Sequence, residues 1–137
     1  MTALILAACT MSFAQAKPKP TTTALSTSLQ TMVKNLYAEH KVGKGPFGNK
    51  PNRASIDKYF TKELGDLIWK AVNSEEGLNV DPLYNAQDFD IKALTVSKAD
   101  ENNVVKVNFR NFLRDEEITF SFTRSNTASK VYRIDSI

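Results

Sequence analysis

The hydrophobic period of this chain changes near residue 78, and that change constrains the fold more than any other feature. Before it, apolar residues recur at helical spacing; after it, they alternate with polar residues. A period of about 3.6 residues indicates amphipathic helices, and a period of two indicates strands with one buried face. Helices followed by strands are typical of an α+β layer arrangement. We therefore predict two to three helices packed on a curved four-stranded antiparallel sheet, in one domain over residues 24–137.

The first predicted helix runs from Leu25 to Lys41, because its apolar residues form a single stripe. Residues 42–54 follow with three of the five glycines and two of the five prolines, which indicates a loop. His40 lies at the end of the helix, where a positive charge suits the helix dipole. We interpret His40 as a surface capping residue.

A second helical region is expected from Ser55, which we predict to be its N-cap. Asp57 would then lie in the first turn, facing the positive end of the dipole. Thr61 and Gly65 are expected to divide this region into a short helix and a longer one. Its apolar residues again keep helical spacing, so we predict them to be buried: Ile56, Tyr59, Phe60, Leu64, Leu67, Ile68, Ala71 and Val72.

Four β-rich segments occupy the second half of the chain. Phe120 and its apolar neighbours alternate with hydroxyl side chains, so one face of that strand is expected to be buried. In the first segment the alternation slips by one residue, which indicates a β-bulge. The segments are 91–97, 104–113, 117–123 and 130–137, with turns predicted at 100–103, 114–116 and 125–129.

The start of the chain has the pattern of an export signal. Residues 1–16 carry no charge, contain a short apolar run and end in Ala14-Gln15-Ala16, the small residues that signal peptidase accepts. We predict cleavage after Ala16, a tether over residues 17–23, and a periplasmic or secreted protein. Alternatively, Leu6-Ala7-Ala8-Cys9 resembles a lipobox, and lipidation at Cys9 would anchor the protein to a membrane. Cleavage is favoured because the apolar run continues beyond Cys9.

Composition excludes several classes of function. One cysteine and one histidine cannot form a disulfide framework or a multi-ligand zinc site, so we predict no metal and no cofactor. The net charge is only +3, and the basic residues of 17–53 show no aromatic pattern typical of base stacking, so no nucleic-acid partner is expected. The glycine-rich stretch 43–50 lacks the Gly-Lys-Ser/Thr sequence of a phosphate-binding loop.

A set of short motifs is spread over residues 24–137. They are Leu36-Tyr37, Tyr59-Phe60-Thr61, Leu64, Leu67, Asp81-Pro82-Leu83, Ala86-Gln87-Asp88-Phe89, Val105-Lys106-Val107 and Tyr132-Arg133-Ile134-Asp135. Together they resemble an uncharacterised family of exported bacterial proteins, a domain of unknown function. The resemblance implies a cystatin-like or nuclear-transport-factor-like cone and an exported location, and it implies no activity.

The leading functional hypothesis is a non-enzymatic domain that binds a small ligand or an envelope protein in the concavity between sheet and helices. One alternative is an envelope protein–protein interaction or inhibitor module, which predicts an exposed apolar patch or sheet edge. Another is an isomerase- or dehydratase-type enzyme, which needs an aspartate base and a tyrosine in one pocket. No residue is assigned a catalytic role. The candidate binding residues are Tyr59, Trp69, Asp81, Tyr84, Asp88 and Arg110.

Overall fold

The computed structural model describes residues 22–48, 50–124 and 132–136. The predicted signal segment 1–16, including Cys9, lies outside the described residues, as do residues 17–21 of the tether and the turn at 125–129. Within the described ranges, three helices precede four strands, which confirms the α+β prediction. The elements are α1 (Thr22–Lys41), α2 (Arg53–Tyr59), α3 (Lys62–Val72), β1 (Ile91–Val96), β2 (Val104–Asn111), β3 (Arg114–Arg124) and β4 (Tyr132–Ser136).

The four strands form one antiparallel sheet in the order β1-β2-β3-β4. Strand β1 shows the bulge that its slipped alternation predicts: the pairing with β2 shifts between Lys92 and Thr95, and Ala93 between them has a φ of 54°. One face of the sheet is buried, as the alternation in β2 and β3 predicts. Its inward side chains include Val105, Val107, Phe109, Phe120 and Phe122.

The turn between β2 and β3 lies earlier than the sequence suggested. We predicted a turn at 114–116, but the β2–β3 ladder continues to the pair Asn111↔Arg114. Arg110 faces Asp115 in this ladder, and their side chains form an ion pair at 2.9 Å. The chain therefore reverses at Phe112 and Leu113 alone, and their side chains are 54% and 95% exposed.

Helix α1 covers the β1–β2 side of the sheet and buries the predicted apolar stripe. It begins at Thr22, two residues inside the segment predicted as a tether. Two of its polar side chains bond to backbone carbonyls at the end of the edge strand β1 and just beyond it. Gln30 donates a hydrogen bond to the Val96 carbonyl at 2.8 Å, and Ser26 donates to the Ala99 carbonyl at 2.6 Å. These carbonyls are thus not free to pair with another strand.

Helices α2 and α3 cover the other edge, beside β4. At the junction between them, Phe60 forms a parallel bridge with Ile134, and the Thr61 amide donates to the Ile134 carbonyl at 2.9 Å. This short extended link divides the helical region at Thr61, as predicted, because the Thr61 side chain caps α3. None of the helices in the described ranges has the length and apolar content to span a bilayer.

Three details of this helical region differ from prediction. The N-cap of α2 is Asn52, whose side chain accepts from the Ser55 amide at 2.8 Å, so Ser55 already lies inside the helix. Gly65 does not interrupt α3; it is buried where α3 meets Ile56 of α2. Leu67 was predicted to be buried but is 66% exposed, because the buried face of α3 is centred on Gly65 and Ile68.

Candidate functional site

The sole histidine of the chain forms a nearly buried pair with an aspartate. The His40 Nε2 and Asp81 Oδ2 atoms lie 2.6 Å apart, and the two side chains are 9% and 14% exposed. His40 comes from the last turn of α1, and Asp81 from the loop before β1. The prediction that His40 is a surface capping residue was therefore wrong, since Asp81 and the surrounding loops enclose its ring.

The loop that carries Asp81 is held by its own hydrogen bonds. The Asp81 Oδ1 atom accepts from the Leu83 amide at 2.9 Å, and the Asp81 amide donates to the Ala86 carbonyl at 2.9 Å. The Tyr37 hydroxyl of α1 donates to the Leu83 carbonyl at 2.8 Å. These bonds connect the loop to the helix that carries His40, so both members of the pair are positioned by the same local structure.

Aromatic rings surround this pair. The centroid of the Tyr84 ring lies 5.6 Å from that of His40 and 4.5 Å from that of Phe89. Phe47 covers another side of the imidazole at 6.4 Å. Burial raises the pKa of Tyr84, and the charge of Asp81 raises it further. Tyr84 is therefore a neutral phenol at physiological pH.

Among the described residues, no hydrogen-bonding group reaches the second ring nitrogen of His40, the buried Nδ1 atom. With Nε2 donating its proton to Asp81, Nδ1 carries a lone pair in the neutral ring and a proton in the charged ring. An unsatisfied buried polar group costs about 1–3 kcal/mol. Nδ1 is therefore the group here that would gain most from a polar ligand.

The glycine-rich loop closes over the end of α1 through a close backbone contact. A Cβ atom at Gly45 would lie 2.9 Å from the His40 Cα atom, too near for any side chain. Gly45 and Pro46 are accordingly buried. The sequence suggested only an inter-helix loop here; in the structure the loop forms part of the wall around His40.

A cavity of about 530 Å³ opens beside the pair, and we call it the loop cavity. The end of α1, the glycine-rich loop and the segment 78–89 enclose it. Its volume lies within the range of about 300–1,000 Å³ that is typical of small-molecule sites. Its lining combines apolar and polar side chains, namely His40, Lys41, Phe47, Leu78, Asn79, Val80, Asp81, Gln87 and Phe89.

A second depression of about 400 Å³ lies between α1 and β1, and we call it the α1–β1 groove. It shares Lys41 and Phe89 with the loop cavity, so the two spaces adjoin. Its lining is mainly apolar: Tyr37, Ala38, Lys41, Tyr84, Phe89, Ile91 and Leu94.

Of the six predicted site residues, the structure brings two together. Asp81 and Tyr84 both contact His40, and Tyr84 also lines the groove. Asp88 is exposed and makes no ion pair among the described residues. Arg110 lies on the exposed face of β2 and pairs with Asp115.

Tyr59 and Trp69 lie elsewhere. Tyr59 is buried in α2, where burial and the neighbouring Glu39 carboxylate raise its pKa. Trp69 is half-buried on α3 and packs against the core. Neither of them lines the loop cavity or the groove.

Sequence reasoning missed the His40–Asp81 pair, and it did not identify Lys41 as a lining residue of both spaces. His40 and Asp81 are 41 positions apart, and no motif connects them. The one available signal was that the chain has a single histidine, followed at once by a loop dense in glycine. Among the described residues, no cluster of three or more His, Cys, Asp or Glu side chains has the arrangement of a metal site.

Comparisons of the chain with protein-family models, with curated proteins and with solved structures find no match. The α+β architecture rests on the structure itself. Membership of the exported family, and the cystatin-like or nuclear-transport-factor-like cone, therefore stay predictions.

Proposed function

We propose that this protein is a non-enzymatic binding domain whose small ligand occupies the loop cavity and contacts His40. The observation that carries the proposal is that His40 lines a cavity of about 530 Å³, while its buried Nδ1 atom has no partner in the described part of the chain. A ligand that offers this nitrogen a donor or an acceptor would satisfy it. The nearby aromatic rings of Phe47 and Phe89 would supply apolar contact area.

The same proposal includes an exported location and the cone-shaped fold that the family resemblance implies. The uncharged segment 1–16 supports export, and the β1 bulge supports a bent sheet. A mass spectrum of the protein from the cell envelope tests the first part. A chain that begins at Lys17 supports cleavage, a lipid-modified Cys9 supports the anchored alternative, and an unprocessed segment 1–16 contradicts both.

Nuclear magnetic resonance can test the binding site directly. The chain has one histidine and one tryptophan, so the ring signals of His40 and Trp69 are identified by residue type alone. We would titrate a panel of envelope metabolites, lipids and glycans into the labelled protein. The His40 ring signals are expected to shift and saturate with at least one class of ligand. The Trp69 indole signal is the internal control, since Trp69 lies outside both spaces. If no compound moves the His40 signals or raises the melting temperature, the proposal is wrong.

The second candidate function is a proton-transfer enzyme of the isomerase or dehydratase type. The observation that favours it is the grouping of His40, Asp81 and the neutral phenol of Tyr84. From the sequence we expected an aspartate base. In the structure Asp81 accepts a hydrogen bond from His40 Nε2, so His40 is the better candidate for the base. His40 Nδ1 would remove the proton, Asp81 would hold the ring in place, and Tyr84 would donate to the developing oxyanion.

Hydrogen–deuterium exchange at carbon tests this candidate. The protein would be incubated in D₂O with small ketones and 2-oxo acids, and loss of the C–H signal followed over time. A working base predicts exchange about 10²-fold faster than with the His40→Gln variant. Tyr84→Phe should slow exchange, while Asp88→Asn, at an exposed position, should not. Exchange no faster than in buffer rules the candidate out for these substrates.

A further inference from the structure

The α1–β1 groove carries a single charge among its described lining residues. Its other lining residues are uncharged and mostly apolar, namely Tyr37, Ala38, Tyr84, Phe89, Ile91 and Leu94. Lys41 is the exception, and it lies at the boundary that the groove shares with the loop cavity. The groove therefore has an apolar length with a cation at one end.

The Lys41 ammonium has no counter-ion in the described part of the chain. Two acidic residues of this region, Asp81 and Glu39, already have partners. Asp81 bonds to His40 and to the Leu83 amide, and Glu39 pairs with Lys58. Asn79 and Gln87 also line the loop cavity, and their amide groups can donate hydrogen bonds to an anion. The loop cavity thus offers hydrogen-bond donors together with the ammonium of Lys41, which makes no ion pair among the described residues.

We infer that the ligand is a single-chain carboxylic acid, with its apolar chain in the α1–β1 groove and its carboxylate beside Lys41. This inference rests on the proposed function, since the carboxylate would lie where the groove meets the loop cavity, at Lys41. One unpaired cation balances one negative charge. A phosphate monoester carries about −1.5 to −2 at neutral pH, and its excess charge would face Asp81. A carboxylate is therefore the better match.

The test compares ten-carbon probes that differ only in the head group: decanoate, 1-decanol, decyltrimethylammonium and decyl phosphate. Each is titrated into the full chain below its critical micelle concentration, with the His40 and Trp69 signals as readouts. Decanoate is expected to bind most tightly. Each methylene buried in the groove contributes about fourfold in affinity, so octanoate should bind about 15-fold more weakly.

Two variants separate the head group from the chain. Lys41→Met should weaken decanoate about two- to fivefold and leave decanol unchanged, and this difference should shrink in high salt. Lys44→Met is the matched control, because Lys44 lines neither space. Ala38→Trp places a large side chain in the groove from an exposed helix position and should weaken all four probes. Circular dichroism confirms that each variant is folded.

Equal binding of decanol, tighter binding of decyltrimethylammonium or decyl phosphate, or no effect of Lys41→Met would overturn the inference. The proposed function would survive those results if other compounds still moved the His40 signals. The proposed function and the inference both fail if neither the ten-carbon probes nor any metabolite shifts the His40 signals.

Discussion

The His40–Asp81 pair should contribute a coupling energy well above that of a surface ion pair. A double-mutant cycle measures it, with His40→Ala, Asp81→Ala and both together. The two atoms lie 2.6 Å apart, and the side chains are only 9% and 14% exposed. A hydrogen bond to a charged group contributes about 1.5–3 kcal/mol. We expect the coupling energy to fall in that range.

The chain offers a matched exposed pair. Lys92 and Asp90 lie 2.9 Å apart, with side chains that are 66% and 51% exposed. Exposed pairs contribute about 0.2–1 kcal/mol, because water screens the charges. Asp81→Asn is a further control, since it keeps an oxygen for the Leu83 amide and removes the charge.

Urea unfolding followed by circular dichroism and by the fluorescence of the single tryptophan gives the free energy of unfolding of each variant. Agreement of the two probes checks that unfolding is two-state. A coupling energy for His40–Asp81 no greater than that for Lys92–Asp90 would refute the reasoning. It would mean that water reaches the pair and that the pair does not organise the loop cavity.

Two further predictions concern stability. Phe120→Ala should lower the free energy of unfolding by about 3–5 kcal/mol, because Phe120 is fully buried. Leu113→Ala, at an exposed position, should lower it by less than about 0.5 kcal/mol. Similar urea midpoints for the two variants would show that the sheet faces are assigned wrongly. Burial, with Tyr84 and Asp81 nearby, raises the pKa of Tyr37 above its ordinary 10.0, so its contribution to stability is complete below about pH 10 and is lost as the pH rises further. Tyr37→Phe should lower stability at neutral pH and make the loss of stability above about pH 10 less steep. The prediction is contradicted if the urea midpoint of this variant falls as steeply above pH 10 as that of the wild type.

The strands and their buried faces could be predicted because the signal is local. A period of two assigns alternate residues to opposite faces, so Val105, Val107 and Phe120 needed no knowledge of distant contacts. The bulge in β1 was visible for the same reason, as a slip in that period. The N-cap of α2 was missed because Asn52 and Ser55 are both good caps, and only the backbone geometry distinguishes them.

The features that prediction missed depend on contacts between distant segments. Local propensity favoured a turn at 114–116, but the cross-strand pair Arg110–Asp115 and the β2–β3 ladder placed it at Phe112 and Leu113. The His40–Asp81 pair forms because the end of α1 and the segment before β1 meet in the folded chain. Asp81 and Tyr84 were identified as candidates from their residue types, but the histidine that completes the group could be found only in three dimensions.

The exposed tip of the β2–β3 hairpin is expected to influence self-association of the protein at high concentration. Phe112 has a φ of 52°, at a turn position that glycine or asparagine occupies more comfortably, and Leu113 is almost wholly in water. Neither side chain is required to form the turn. At the sheet borders, by contrast, Ser26, Gln30 and the Phe60 bridge already occupy backbone groups. Self-association at high concentration is therefore expected to start from hairpin tips rather than by strand-to-strand pairing, and Gly-Asn in place of Phe112-Leu113 should raise solubility without loss of fold.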